Sequence, residues 1–89
     1  MKKFKIFISK DCKKSIDKAV DFPSKKFKKQ VEFLKENPKH PSLHFKRINN
    51  YWSVRIDQNY RMLAELNDDE LTIFWIGTHH DYDKKIRKS

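Results

Sequence analysis

An α+β fold is predicted for this chain: a single small domain over residues 1–89, with an N-terminal strand and two helices packed on one face of a mostly antiparallel, twisted sheet. Three observations predict it. The apolar period changes once, from helical before Asn37-Pro38 to alternating from Leu43 onward. Short polar turns then divide the alternating half at meander spacing. Finally, 89 residues with 37% hydrophobic content leave room for one modest core and not for two. The element order is β-α-α-β-β-β, with a meander of three or four strands.

Phe4 to Ile8 interleaves β-branched and aromatic residues with Lys5, a strand pattern. Ser9 can cap a helix on which Cys12, Ile16, Ala19 and Val20 form one stripe. That helix ends near Asp21-Phe22-Pro23. Pro23 suits the first turn of a second helix, with Asp21 or Ser24 as its cap. Phe27, Gln30, Val31 and Leu34 share one face there, while Lys25, Lys26, Lys28, Lys29 and Lys35 spread over the others; Asn37-Pro38 is the stop. After a loop over Lys39–Ser42, strands are expected over Leu43–Ile48, Tyr51–Asp57, Tyr60–Leu66 and Leu71–Ile76. Asn49-Asn50, Gln58-Asn59 and Asn67 to Glu70 make the turns, and Gly77 ends the last strand. The tail from Asp81 is short, charged and compatible with a helix.

The charge is uneven. Residues 1–50 carry 15 basic and 5 acidic side chains, whereas residues 51–89 carry 6 and 7. A field concentrated in one half favours a polyanionic partner, most often nucleic acid. One glycine excludes a Gly-rich phosphate loop, and one cysteine excludes both an internal disulfide and a Cys-rich zinc module. No apolar run reaches the roughly 18 residues of a membrane span. The basic opening lacks the apolar stretch of a signal peptide, because Lys5 interrupts it, so a cytoplasmic location is expected.

The pleat points to a site. Arg55 alternates with Val54 and Ile56, and Arg61 sits between Tyr60 and Met62, so both arginines should face away from the helices, on a sheet face without helical cover. Salt bridges to Asp57 or Glu65 would be the structural use of the same arginines. His79 follows the glycine at a strand end, where functional loops begin. His40 and His44 are four apart, but Pro41 breaks the helical spacing of a zinc pair, and no metal site or cofactor is expected. Cys12 reads as a buried thiol, Trp52 and Trp75 as core, and His80 as solvated.

Three stretches carry a resemblance: Asn37-Pro38-Lys39-His40-Pro41-Ser42-Leu43-His44-Phe45-Lys46-Arg47, then Trp52-Ser53-Val54-Arg55-Ile56 with Asn59-Tyr60-Arg61, and Phe74-Trp75-Ile76-Gly77-Thr78-His79-His80-Asp81-Tyr82. In combination, and in the same element order, they resemble the RelE/ParE superfamily of toxins from bacterial type II toxin–antitoxin systems. The resemblance implies a toxin neutralised by a cognate antitoxin protein. In the RelE branch the implied activity is metal-independent cleavage of mRNA on the ribosome; in the ParE branch it is poisoning of DNA gyrase. A degenerate member would bind without cutting. Arg61 matches the arginine that RelE-like nucleases aim at the scissile phosphate, Arg55 falls where RelE has a lysine, and His79 matches the catalytic histidine of the YafQ-like branch. Tyr82 lies near a C-terminal aromatic used by relatives.

Cleavage by a neighbouring 2′-hydroxyl needs a base, a cation for the crowded phosphorane and an acid for the leaving oxygen. Histidine titrates near neutrality, and arginine's planar fork matches phosphate oxygens. His79, Arg61 and Arg55 are therefore the expected catalytic set, Tyr82 a base-stacking or acid residue, and Lys46 and Arg47 the holders of flanking phosphates.

Overall fold

In the computed structural model, which describes residues 3–19 and 21–88, the chain opens with strand β1 (Lys5–Ile8). Ser9 caps helix α1 (Lys10–Lys18): its side chain accepts from Cys12 N at 3.2 Å, satisfying one of the donors a helix start leaves unpaired. Cys12 is buried and Ile16 packs beside the core. Val20, expected on the same stripe, lies outside the described residues. Helix α2 (Ser24–Glu36) starts differently from expectation. Neither Asp21 nor Ser24 caps it. Pro23 occupies the capping position, with φ pinned at −79°, and its carbonyl accepts the first helical N–H, from Phe27. Phe27, Gln30 and Leu34 are its buried face.

The expected strand from Leu43 shortens to β2 (Lys46–Ile48). Pro41–Leu43 is instead a 3-10 turn, and His44 has φ 46°, a left-handed conformation that a strand does not continue through. Leu43 is buried as part of the core rather than as a strand residue. β3 (Tyr51–Arg55) stops two residues early because Asp57 Oδ1 accepts from Asn59 N and Tyr60 N, both at 2.8 Å, and turns the chain. β4 (Tyr60–Asn67) follows, then β5 (Glu70–Thr78), which runs through Gly77 rather than ending there. A Cβ at position 77 would lie 2.5 Å from the Trp75 ring, so glycine lets the indole lie over the strand while Gly77 keeps its pairing with Arg61.

Among the described residues, five strands form one sheet in the order β1-β5-β4-β3-β2. β1 runs parallel to β5 and the other pairs are antiparallel, as the mostly antiparallel expectation requires. α1 and α2 bury Cys12, Phe27 and Leu34 against Val54, Ile56, Met62, Ala64, Leu71 and Ile73, so the two helices share one sheet face. The opposite face is not bare. The tail folds into a third helix, α3 (His79–Lys88), whose Tyr82 is buried beside Trp75. Tyr82 is what covers part of a face expected to be open. Trp52 and Trp75 stay half-buried outside the main core, Trp52 stacking on Phe45 at 4.6 Å.

Burial raises the Cys12 thiol from an ordinary 9.0 to about 11. The folded protein keeps a proton that the unfolded chain releases above pH 9, so this contribution to stability is intact below pH 9 and is lost as pH rises towards 11. Disulfide-exchange labelling at pH 8 should modify Cys12 rapidly in urea and slowly without it; equal rates would place the thiol at the surface.

Candidate functional site

Arg55, Arg61 and Gly77 line up across three strands, Arg55 opposite Arg61 and Arg61 opposite Gly77. The pleat turns this row away from Val54, Met62 and Ile76, which pair in the adjacent row, as the alternation predicts. The two arginines then part. Arg61 Nε donates to His79 Nδ1 at 2.9 Å, and its guanidinium carbon lies 5.4 Å from the centre of the Tyr82 ring. Arg55 Nε donates to its neighbour's carbonyl, Asp57 O, at 3.3 Å, and Nη1 sits 3.3 Å from His44 Nε2. Among the described residues neither arginine has a carboxylate partner, so the cross-strand bridge to Asp57 or Glu65 does not form.

His79 is placed by three constraints. β5 passes directly into α3 at Thr78-His79. His79 N donates to Asn59 O at 2.7 Å, tying the helix start to the β3–β4 turn. Thr78 Oγ1 accepts from Asp81 N at 3.2 Å and so caps α3. Arginine is a donor only, so His79 Nδ1 must accept, and the proton of the neutral ring belongs on Nε2. Nε2 lies 3.7 Å from Asp83 Oδ2, one helical turn further on. His79 remains accessible, with its side chain 53% exposed.

Tyr82 is 4% exposed, its ring 6.4 Å from those of both His79 and Trp75. Its hydroxyl and that of Ser53 are buried without a hydrogen-bond partner among the described residues. The structure thus gathers Arg61, His79 and Tyr82, with Arg55 in the next strand. Lys46 and Arg47 are exposed on edge strand β2. Lys46 pairs with Ser53 and shares the site face, whereas Arg47 pairs with Trp52 and points the other way. The sequence did not mark Asp83 for the site, and it raised His44 only as half of a rejected zinc pair with His40. The start of α3 could have been marked, because Thr78-His79-His80-Asp81 has the spacing of a helix-capping motif.

His40 and His44 serve separate neighbours: His40 Nδ1 accepts from Ser42 N, and His44 faces Arg55. Among the described residues, no three His, Cys, Asp or Glu side chains come together as metal ligands.

Residues 24–84 match the family described as the ParE-like toxin domain. The fold is similar to that of YafQ from E. coli strain BL21(DE3), with TM-score 0.72 and 17% identity over 89% of this chain and 97% of that one. A chain of the E. coli DinJ–YafQ toxin–antitoxin complex gives 0.71 and 17%, over 90% and 97%. A chain of the RelB–RelE antitoxin–toxin complex from Methanococcus jannaschii gives 0.69 and 20%, over 89% and 96%. At such identities the likeness is one of fold. No curated protein matches the chain.

Gly77→Ala should displace the Trp75 ring, which rests against Tyr82 and so supports the site from behind. Overpacking of this kind costs about 1–3 kcal/mol. Urea denaturation should report the loss and a changed tryptophan emission the displacement; unaltered emission and stability would show that the indole is free to move aside.

Proposed function

We propose, since this chain belongs to the ParE-like toxin domain family, that it is the toxin of a toxin–antitoxin pair and a metal-independent endonuclease of mRNA on the ribosome. The observation that carries the nuclease reading is the 2.9 Å contact between Arg61 and an accessible His79. A cation beside an imidazole that can accept or return a proton is the pairing that cleavage by a 2′-hydroxyl requires.

The contact also suggests an order of events. In the free protein Arg61 occupies the Nδ1 lone pair of His79. A phosphate is a stronger acceptor than imidazole and draws the guanidinium away. Arg61 then neutralises the phosphorane, and Nδ1 becomes free to take the 2′-hydroxyl proton. Substrate binding itself unmasks the base. Asp83 is a positioning residue, its Oδ2 3.7 Å from Nε2, that sets a negative charge beside the ring as the ring takes up the proton. Tyr82, buried under the pair, supports both from below. Arg55 offers the leaving side a second cation, the leaving 5′-oxygen takes its proton from solvent, and Lys46 offers charge to the strand further out, while Arg47 could reach only a strand that passes round the β2 edge. No cofactor enters this scheme.

The antitoxin is expected to lay an acidic–apolar segment along the basic half of the chain and over the Arg61–His79 face. Similar folds occurring in complexes with antitoxins support that expectation. No described helix is long and apolar enough to cross a membrane; the proposed site of action is the cytoplasm.

Arg61→Ala should fold, as circular dichroism would verify, and lose about 100- to 1,000-fold in cleavage rate, the usual cost of one transition-state donor. Induced cells should show new mRNA ends with the parent and not with the variant. DNA breaks without mRNA cleavage would instead assign the chain to gyrase poisoning, and neither lesion would make it a binding protein.

The attacking group should be the RNA's own 2′-hydroxyl. Products should therefore end in a 2′,3′-cyclic phosphate and begin with a 5′-hydroxyl, and a 2′-methoxy group at the cut should block the reaction. Products with 5′-phosphates would overturn this mechanism.

A further inference from the structure

A cleft of about 500 Å3 opens between α2, the 3-10 turn and the β3–β4 turn. Its volume falls within the roughly 300–1,000 Å3 of small-ligand sites. Lys26 and Lys29, on one side of α2, make its rim cationic, and Arg55 on β3 borders it with the carbonyl that accepts from Gln30. Asp57 is the one carboxylate among the lining residues, and its Oδ1 is engaged by the two turn N–H groups. One wall is an aromatic stack: the rings of Phe33 and His40 lie 3.9 Å apart with 11° between planes, and Lys29 Nζ sits 5.8 Å from the Phe33 centroid.

The cleft is held in shape by a buried amide. Gln30 Nε2 donates to the carbonyls of Ser42 and Arg55, at 3.1 and 2.7 Å, while its Oε1 accepts from the Ser42 hydroxyl at 3.3 Å. Helix, turn and strand are thereby fixed to one side chain that is 6% exposed. The polar groups face no large desolvation on binding, because the floor is already satisfied.

A cationic track beside a stacking platform is how single-stranded nucleic acid is held without sequence preference. A free phosphate has no use for the platform, and an acidic peptide has no ring to stack. We propose that this cleft is a second RNA subsite that seats one nucleotide of the substrate strand next to the cut, its base on the His40–Phe33 stack and its phosphates on Lys26 and Lys29. This rests on the nuclease reading. Arg55 supplies the continuity: its backbone borders the cleft while its side chain turns to the other sheet face, where it is the register partner of Arg61, so the strand passes from one site to the other around β3.

The test is fluorescence anisotropy with a labelled single-stranded RNA hexamer carrying 2′-methoxy groups, titrated at several salt concentrations, with circular dichroism on every variant. His40→Ala should weaken binding about 5- to 100-fold, the range for one lost base stack. His40→Phe, which keeps a ring and loses the imidazole, should stay within about twofold, a rescue that a role in the turn alone would not give. Lys26→Ala with Lys29→Ala should flatten the salt dependence by about 0.7 per phosphate contact removed. A hexamer that the parent does not bind, or that all these variants bind as tightly as the parent, overturns the subsite. So does a loss confined to an acidic antitoxin peptide or to ribosomes without mRNA, which would assign the cleft to a protein partner or to ribosomal RNA. The nuclease reading fails separately, when the parent leaves no 2′,3′-cyclic ends.

Discussion

The bond from His79 N to Asn59 O is the joint on which the site turns. It ties the end of the last strand to the turn between β3 and β4, at the point where β5 becomes α3 without a loop. Arg61 and His79 are 18 residues apart, and the sheet brings only their backbones near one another. The joint fixes where the helix begins, so His79 faces Arg61 and Tyr82 arrives one turn later beneath both. Moving the start of α3 by one residue would rotate the imidazole by about 100° around the helix axis. The Asp57 turn is the other half of this joint, because it holds Asn59 in place.

The sequence disclosed the parts that depend on period. Alternation around Val54 and Met62 put Arg55 and Arg61 on the face away from α1 and α2, and the structure agrees. The stripe through Cys12 and the face through Phe27 and Leu34 were legible for the same reason. What escaped is set by single backbone states or by contacts between distant segments. His44 in a left-handed conformation cut the second strand short. Trp75 lying over Gly77 carried the last strand past a residue that usually ends one. The third helix was open to the sequence as a helical tail from Asp81, but its start at His79 and its packing on the sheet were not, because its described apolar residues are only Tyr82 and Ile86. Within the site, the arginines and His79 stood out by residue type and Tyr82 by the resemblance, whereas Asp83 acquires meaning only from the geometry around His79.

The two faces of the sheet are built to different standards. The face under α1 and α2 is apolar and contiguous. The face under α3 contains two buried hydroxyls, of Ser53 and Tyr82, without partners among the described residues. Each such group costs about 1–3 kcal/mol relative to a satisfied one. The molecule thus concentrates its cohesion on one side and its chemistry on the other, a division expected where charged groups must stay free to meet a ligand.

The parallel pairing of β1 with β5 has a consequence for the order in which the protein comes to exist. Lys5 lies opposite Glu70 and Ile8 opposite Ile73. The first strand made must wait for the last before it has a neighbour, and such distant pairings are slow to form. Arg61, His79 and Asp83 all belong to the same late segment. A chain interrupted anywhere before β5 therefore lacks both a closed sheet and an assembled site. For a protein whose proposed target is the translating ribosome, competence is deferred until the ribosome has made both β5 and α3.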